Sequence, residues 1–312
     1  IEVSEIGMGC MAFSHGYGQI PTEQYSIEAI RNGYDHGCTF FDTAEVYSLG
    51  LSCIGHNELI VGKALKDVRK NVVIATKLFL QVGLGGSVYK TIRNHLEASM
   101  DRLQTDYVDL YYLHRMGSVP VEKVAEAMGR LIDEKLIRGW GLSQVDVDVI
   151  DQAQQVTHLS AIQNIYSMVE RDSEERIIPY CMEHNIGFVP FSPIASGLLS
   201  GKITTQTKFE SYDDVRNWVP QLSKANIAGN QPIVELLREY AEMKQATPAQ
   251  ISLAWMLHKY PNVVPIPGSK NRERVVENLN ASLVELTDEE FVALEEALNK
   301  LKVYGHRGLG GF

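Results

Sequence analysis

Cysteine is scarce: Cys10, Cys38, Cys53 and Cys181 are the four among 312 residues. None forms a CxxC pair or a Cys/His zinc spacing, so the chain reads as neither a disulfide scaffold nor a zinc module. His36 near Cys38 has no third ligand close by, so no metal is expected. No apolar run approaches the ~18 residues that would span a bilayer, and the start has no basic segment followed by an apolar one. Membrane insertion is not expected, and the cytoplasm is the expected compartment. Positive charge is short as well, with 29 Lys+Arg against 39 Asp+Glu and a net charge of -10. No basic block stands out, so a polyphosphate backbone is repelled and nucleic acid is not an expected partner. Nucleotide-loop motifs are missing too. Gly7-Met8-Gly9 runs into Ala12, Gly83-Leu84-Gly85-Gly86 has the wrong spacing, and the stretch from Gly197 to Lys202 is one residue short of a P-loop and precedes Ile203. The first residue is Ile1, inside what reads as a strand approach, which suggests that a short N-terminal piece precedes it.

What is present is an ordinary globular composition, 45% hydrophobic and 22% charged, in a chain long enough for two domains or one large barrel. Short β-branched or aromatic runs alternate with longer stretches of helical period. Strands are predicted over 6–12, 39–43, 72–77, 107–114, 137–143, 161–166, 187–192 and 263–267. Between them, apolar residues recur at helix spacing, as in Val88, Ile92, Leu96, Met100, Leu103 and in Val121, Val124, Met128, Leu131. Thr247-Pro248-Ala249-Gln250 and the pair Thr287 and Glu290 carry capping-box patterns. Eight βα repeats build either an open doubly wound sheet or a closed barrel. A strand start every ~25–35 residues, with no linker until the seventh, favours a (β/α)8 TIM barrel, so 1–312 is expected to be a single domain. Two additions are expected: a long loop after strand 7, over 195–230, read as a candidate lid, and an extra C-terminal helix over 287–302.

Ionisable residues fall at the ends of strands two, three and four. Asp42 follows Thr39-Phe40-Phe41 with Tyr47 just beyond, Lys77 ends the third strand and His114 ends the fourth. At the C-terminal mouth of a barrel those ends lie side by side. A phenol with a pKa of ~10 is a poor acid at neutral pH unless a cation stabilises its phenolate. Lys77 is placed to be that cation, Asp42 to keep Lys77 charged, and His114 to orient a carbonyl oxygen. The set suits proton donation to the alkoxide that forms when hydride reduces an aldehyde or ketone. The same residues also fit a plain ion pair beside a loop aromatic, or a Schiff-base lyase or isomerase using Lys77 as its amine.

These residues, with the strings IGMGCMAFSHGYG, FFDTAEVY, NELIVGKAL, VVIATK, DYVDLYYLHR, IRGWGLSQ, VPFSPIASGLLSGK, TPAQISLAWMLH and VPIPGSKNRERVVENLNA, resemble the aldo-keto reductase superfamily. The likeness is to its branch shared by bacterial reductases and the beta subunits of voltage-gated potassium channels, and it covers nearly the whole chain. It implies a (β/α)8 barrel, an enzyme using NADPH/NADP+ on a small-molecule aldehyde or ketone substrate, and a catalytic tetrad of Asp42, Tyr47, Lys77 and His114. It further implies that Ser143, Gln144 and Gln163 hold the carboxamide, Phe191 stacks on the nicotinamide, and Ser192, Ile194 and Ser196 line the pyrophosphate. Ser269, Lys270, Arg274, Glu277 and Asn278 then meet the adenine end, with Lys270 and Arg274 facing the 2′-phosphate. Phe191 stands where Tyr is frequent and Gln144 where Asn is common. By themselves, Lys270 and Arg274 also read as the solvated basic start of a surface helix.

Phe13, Tyr17, Phe79, Met116 and Trp218 are candidates for an apolar substrate wall, and equally for packing. The stretch 48–56, which includes Cys53, is longer than is usual in the family. The competing function is a cofactor-sensing regulatory subunit with little turnover. A homo-oligomer is left open by the sequence.

Overall fold

Residues of alternating direction along short, buried strands build a parallel sheet. In the computed structural model, which describes residues 1–48, 53–83, 85–209, 211 and 214–308, the strands are β1 (Met8–Gly9), β2 (Phe40–Asp42), β3 (Val73–Leu78), β4 (Val108–Leu113), β5 (Ile137–Ser143), β6 (Ala161–Gln163) and β7 (Gly187–Phe188). Their spatial order is their order in the chain and all pairings are parallel, as repeated βα units dictate. Helices α1 (Glu23–Asp35), α2 (His56–Leu65), α3 (Val88–Leu103), α4 (Val121–Asp133), α5 (Val147–Gln154) and α6 (Ile177–Glu183) make the crossovers. After β7 come α7 (Lys224–Gly229), α8 (Gln231–Lys244), α9 (Pro248–Lys259), α10 (Arg272–Leu279) and α11 (Asp288–Asn299). Both predicted capping boxes form, Thr247 with Gln250 at the start of α9 and Thr287 with Glu290 at the start of α11.

The strands separate two apolar regions. The larger lies between sheet and helices and holds Ile74, Leu78, Tyr111, Leu113 and the buried stripes of the helices, among them Ile92 and Leu96. The smaller is enclosed by the concave face and consists of Phe40, Val73, Ala75, Leu110, Tyr112, Ala161, Val189 and Ile266. A strand period of two assigns the residues. On β3, Val73 and Ala75 face inward, so Lys77 does too; on β2, Phe40 and then Asp42 do. Gly141 on β5 has to be glycine, since a Cβ there would lie 2.3 Å from the Ala161 carbonyl oxygen and 2.6 Å from the Tyr112 ring.

Sheet curvature is recorded by a bond between distant strands: Gln163 on β6 donates from Nε2 to Asp42 Oδ2 on β2 at 2.8 Å. The predicted eighth strand forms no regular ladder. Pro265 and Pro267 remove two N–H donors, and isolated parallel bridges remain, Phe188 to Val263 and Gly9 to Gly268. The segment nevertheless bonds on both sides. Val264 and Ile266 donate to the carbonyls of Phe188 and Pro190, while those of Pro265 and Pro267 accept from Gly7 and Gly9.

Of the other predicted strands, the fifth is found at its predicted bounds, 137–143, and several are longer than those found. The first gives way to a 3-10 turn at Met11–Phe13. The seventh stops before Pro190 and the left-handed Ser192. The stretch 195–230 is not structureless: it carries 3-10 turns at Ala195–Ser200, Val215–Trp218 and Pro220–Leu222, followed by α7. Residues 210, 212 and 213 of the candidate lid, and 49–52 of the stretch 48–56, lie outside the described residues. No helix among the described residues is long and apolar enough to cross a membrane.

Candidate active site

The inward register brings the strand-end residues together. Lys77, with no exposed surface, forms a short ion pair from Nζ to Asp42 Oδ1. It also donates to the Thr43 carbonyl at 2.8 Å and to Tyr47 Oη at 3.3 Å. His114, immediately beyond β4, lies edge-on to the Tyr47 ring with centroids 5.7 Å apart. Its Nδ1 is buried without a hydrogen-bond partner among the described residues.

Electrostatics set the protonation states. Burial alone would pull the Lys77 ammonium below its usual range, but the Asp42 carboxylate and the Tyr47 hydroxyl outweigh it and hold Lys77 above. A lysine so held is a cation rather than a nucleophilic amine, which argues against a Schiff base. Burial raises the Tyr47 phenol, Lys77 pulls it back and Asp42 adds to the rise. The pull expected from Lys77 is therefore present but smaller than the effect of burial. Tyr47 keeps its proton at neutral pH, next to the charge that would stabilise its phenolate. Burial, with Lys77 and Arg115 adding to it, drives the His114 imidazole well below its ordinary value, so it is neutral.

The loop carrying Tyr47 is fastened by groups that the motif reading passed over. Glu45, buried, accepts from the Phe79 N–H at 2.7 Å and from His95 on α3 at 2.8 Å. Asn57 on α2 accepts from Thr43 Oγ1 and donates to the Cys10 carbonyl and Ser14 Oγ. Glu58, with no exposed surface, accepts from Thr76 Oγ1 and Arg102 Nε, each at 2.6 Å. The signal for Glu45 and Glu58 was a carboxylate inside an otherwise apolar or buried run.

The residues proposed for a cofactor are spread along the same rim. Ser143 ends β5, buried, and its Oγ accepts from Arg115 Nη1 at 3.2 Å. Gln144, in the left-handed region at φ +56°, accepts the Ile165 N–H at its Oε1. Gln163 uses its Nε2 on Asp42. Each amide thus already commits one atom to the protein. Phe191 is half-buried against the inner apolar region.

Beyond Phe191 the backbone departs from ordinary conformations. Ser192, Ala195 and Ser196 have φ of 53°, 47° and 54°, followed by Gly197 at 100°. Non-glycine residues held there cost about 1–3 kcal/mol each and cluster at ligand clamps. Ile194 caps the turn that follows, and Ser196 Oγ is buried without a partner among the described residues. The N–H groups of Ala195 and Gly197 bond within the loop to the Ser192 and Ile194 carbonyls, whereas the orphan Ser196 hydroxyl suits an acceptor such as a phosphate oxygen.

At the far end, Asn271 caps α10 by accepting the Arg274 N–H at 2.8 Å. Ser269 Oγ accepts the Asn271 N–H. The Arg274 side chain is exposed, and Lys270 Nζ donates to the carbonyls of Tyr17 and Gln19, both at 2.6 Å. Glu277 accepts from Thr247 Oγ1 and pairs with Lys202, and Asn278 is buried. Of the candidate wall residues, Phe13 is wholly buried in the outer core, Trp218 and Phe79 are exposed, and Tyr17 lies under the Arg216 guanidinium. Met116 packs against the outer core.

The chain that brings this acid, cation, phenol and imidazole together is a member of the aldo/keto reductase family, whose model it matches over residues 5–299. This makes it an oxidoreductase. Among its relatives is the probable aldo-keto reductase 1 of Glycine max, 35% identical over an aligned length of 323 positions that spans 99% of this chain and 90% of that protein. The glycerol dehydrogenase of Gluconobacter oxydans superposes with a TM-score of 0.85 at 27% identity, over 96% of this chain and 92% of that one. An aldo/keto reductase from Klebsiella pneumoniae, solved in complex with NADP and acetate, gives a TM-score of 0.73 at 28% identity, over 96% and 95% of the two chains.

Proposed function

We propose that this chain is an NADPH-dependent reductase of aldehydes or ketones, with Tyr47 as the proton donor. The observation that carries it is the buried Lys77 ammonium, ion-paired with Asp42 and 3.3 Å from Tyr47 Oη, beside a neutral His114. The reading includes an eight-stranded closed barrel completed by the segment 263–268, and a single unit over 1–312. Support for closure comes from that segment's bonds to the β7 side and the β1 side. Support for the cofactor comes from the NADP in the Klebsiella relative and from the left-handed loop with its orphan serine.

Ser143, Gln144 and Gln163 would hold the carboxamide end, Phe191 would offer a ring face, and Ser192, Ile194 and Ser196 the diphosphate loop. Lys270 and Arg274, with Ser269, Glu277 and Asn278 around the start of α10, would meet the adenosine 2′-phosphate. Bound there, the reduced nicotinamide supplies hydride. The protein's own part is protonic. Neutral His114 orients the carbonyl oxygen, Tyr47 gives its proton to the oxygen as charge develops, and Lys77 stabilises the phenolate left behind. Asp42 keeps Lys77 charged.

Replacing the phenol while keeping its ring tests the assignment. Tyr47→Phe is expected to lower carbonyl reduction by about 10²–10⁴-fold, while NADPH affinity, followed by fluorescence titration, stays within a factor of a few. Undiminished turnover against a panel of aldehydes, ketones and quinones would overturn it.

A further inference from the structure

After α11 the chain turns back over the loop that follows β7, and buried polar groups hold it there. Asn230, with no exposed surface, donates from Nδ2 to the Tyr304 carbonyl and accepts the Tyr304 N–H at Oδ1, both at 2.9 Å. Gln221, equally buried, donates its backbone N–H to the His306 carbonyl at 3.1 Å. Between them Gly305 takes a φ of +75°, where a Cβ would lie 2.9 Å from the Gln221 nitrogen. Arg307 then makes two bonds of its own. Its backbone N–H donates to Glu170 Oε1, and its Nε donates to Ser192 Oγ at 3.2 Å.

Ser192 opens the left-handed loop read above as the diphosphate site; residues 192–201 carry no charged side chain, and Lys202 beyond them is paired with Glu277. Ser192, Ile194 and Ser196 are uncharged, whereas a dinucleotide's diphosphate carries two negative charges. Backbone N–H groups contribute only partial charges. The guanidinium of Arg307 is bonded to the first residue of the loop, and the Ser192 bond uses one of its five N–H donors. A planar fork of donors suits phosphate oxygens better than a flexible ammonium does.

We propose that residues 303–308 form a clamp over the bound dinucleotide and that Arg307 supplies a positive charge to its diphosphate. The proposal rests on the reading of 192–196 as the diphosphate loop. Because Asn230 and Gln221 fasten the segment from below, the clamp must loosen for the dinucleotide to leave, and it slows release as well as tightening binding.

The test follows NADPH affinity and its release rate in stopped flow for the full chain and for Arg307→Ala, Arg307→Gln and Arg307→Lys. Adenosine 2′-monophosphate, which has the adenine-end phosphate but no diphosphate, serves as the second probe. Arg307→Ala and Arg307→Gln are expected to weaken NADPH by about ten- to a hundredfold and to speed its release. Affinity for adenosine 2′-monophosphate should not change, and Arg307→Lys should recover part of the loss. Unchanged NADPH binding, or an equal loss for both probes, would overturn the role of Arg307. Binding of adenosine 2′-monophosphate but not NADPH by the unmodified chain would instead overturn the reading of the loop.

Discussion

Lys77 and Asp42 are buried charges, each tolerable because of the other, and His114 is a buried potential charge. The ammonium is matched by the carboxylate, while the imidazole escapes the cost by staying neutral. A neutral buried histidine makes a prediction about acid. The unfolded chain takes up this proton near 6.5, whereas folded His114 holds out to much lower pH because of burial, Lys77 and Arg115. Below 6.5 the unfolded state therefore binds more protons, so His114's contribution is full above that pH and is lost as pH falls. His95, raised by its bond to Glu45, works in the opposite direction, so a comparison isolates His114. Urea midpoints between pH 7 and 5 should fall less steeply in His114→Gln than in the unmodified chain, and parallel slopes would refute the assignment. The directions of Asp42, Lys77 and His114 could be read from the sequence, because a period of two along their strands and a run of apolar neighbours fix which way they point; Tyr47, on a loop, has no such register. The partner of Gln163 could not be read, since its bond to Asp42 depends on how strands far apart in the chain curl toward one another.

At the scale of elements, helix starts were the easiest to foresee: Thr247 and Thr287 with their reciprocal partners are local chemistry. Strand lengths were harder, because left-handed residues and prolines interrupt β7 and the segment after α9 without disturbing the hydrophobic pattern. The ordered turns within 195–230 were hidden for a similar reason, as short 3-10 pieces leave little periodicity to detect. Gly141 shows what a strand demands of its neighbours. A Cβ at that position meets the Ala161 carbonyl and the Tyr112 ring, neither of which is a flexible chain end. Gly141→Ala is expected to cost about 1–3 kcal/mol in denaturant unfolding, and a loss below a few tenths would mean that β5 and β6 can separate freely.

For the whole molecule, a ligand that binds only the folded chain must stabilise it. NADPH at a hundred times its dissociation constant should add about 2.7 kcal/mol and raise the unfolding temperature accordingly. At the same concentration NADH should raise it less if Lys270 and Arg274 meet the 2′-phosphate, whereas equal shifts would remove that role. The family could be recognised from the order of its strings, but the path of the C-terminal segment could not, because residues 303–308 carry no pattern that announces where they dock.

The bond from Gln163 to Asp42 has a consequence for how such a site can change over generations. One carboxylate oxygen holds Lys77 and the other ties β2 to the opposite wall. Drift at position 42 is therefore resisted from two directions, since any side chain that changed the charge beside Lys77 would also untie the architecture around it. New substrates are more readily explored through the loops above this tie than at the tie itself.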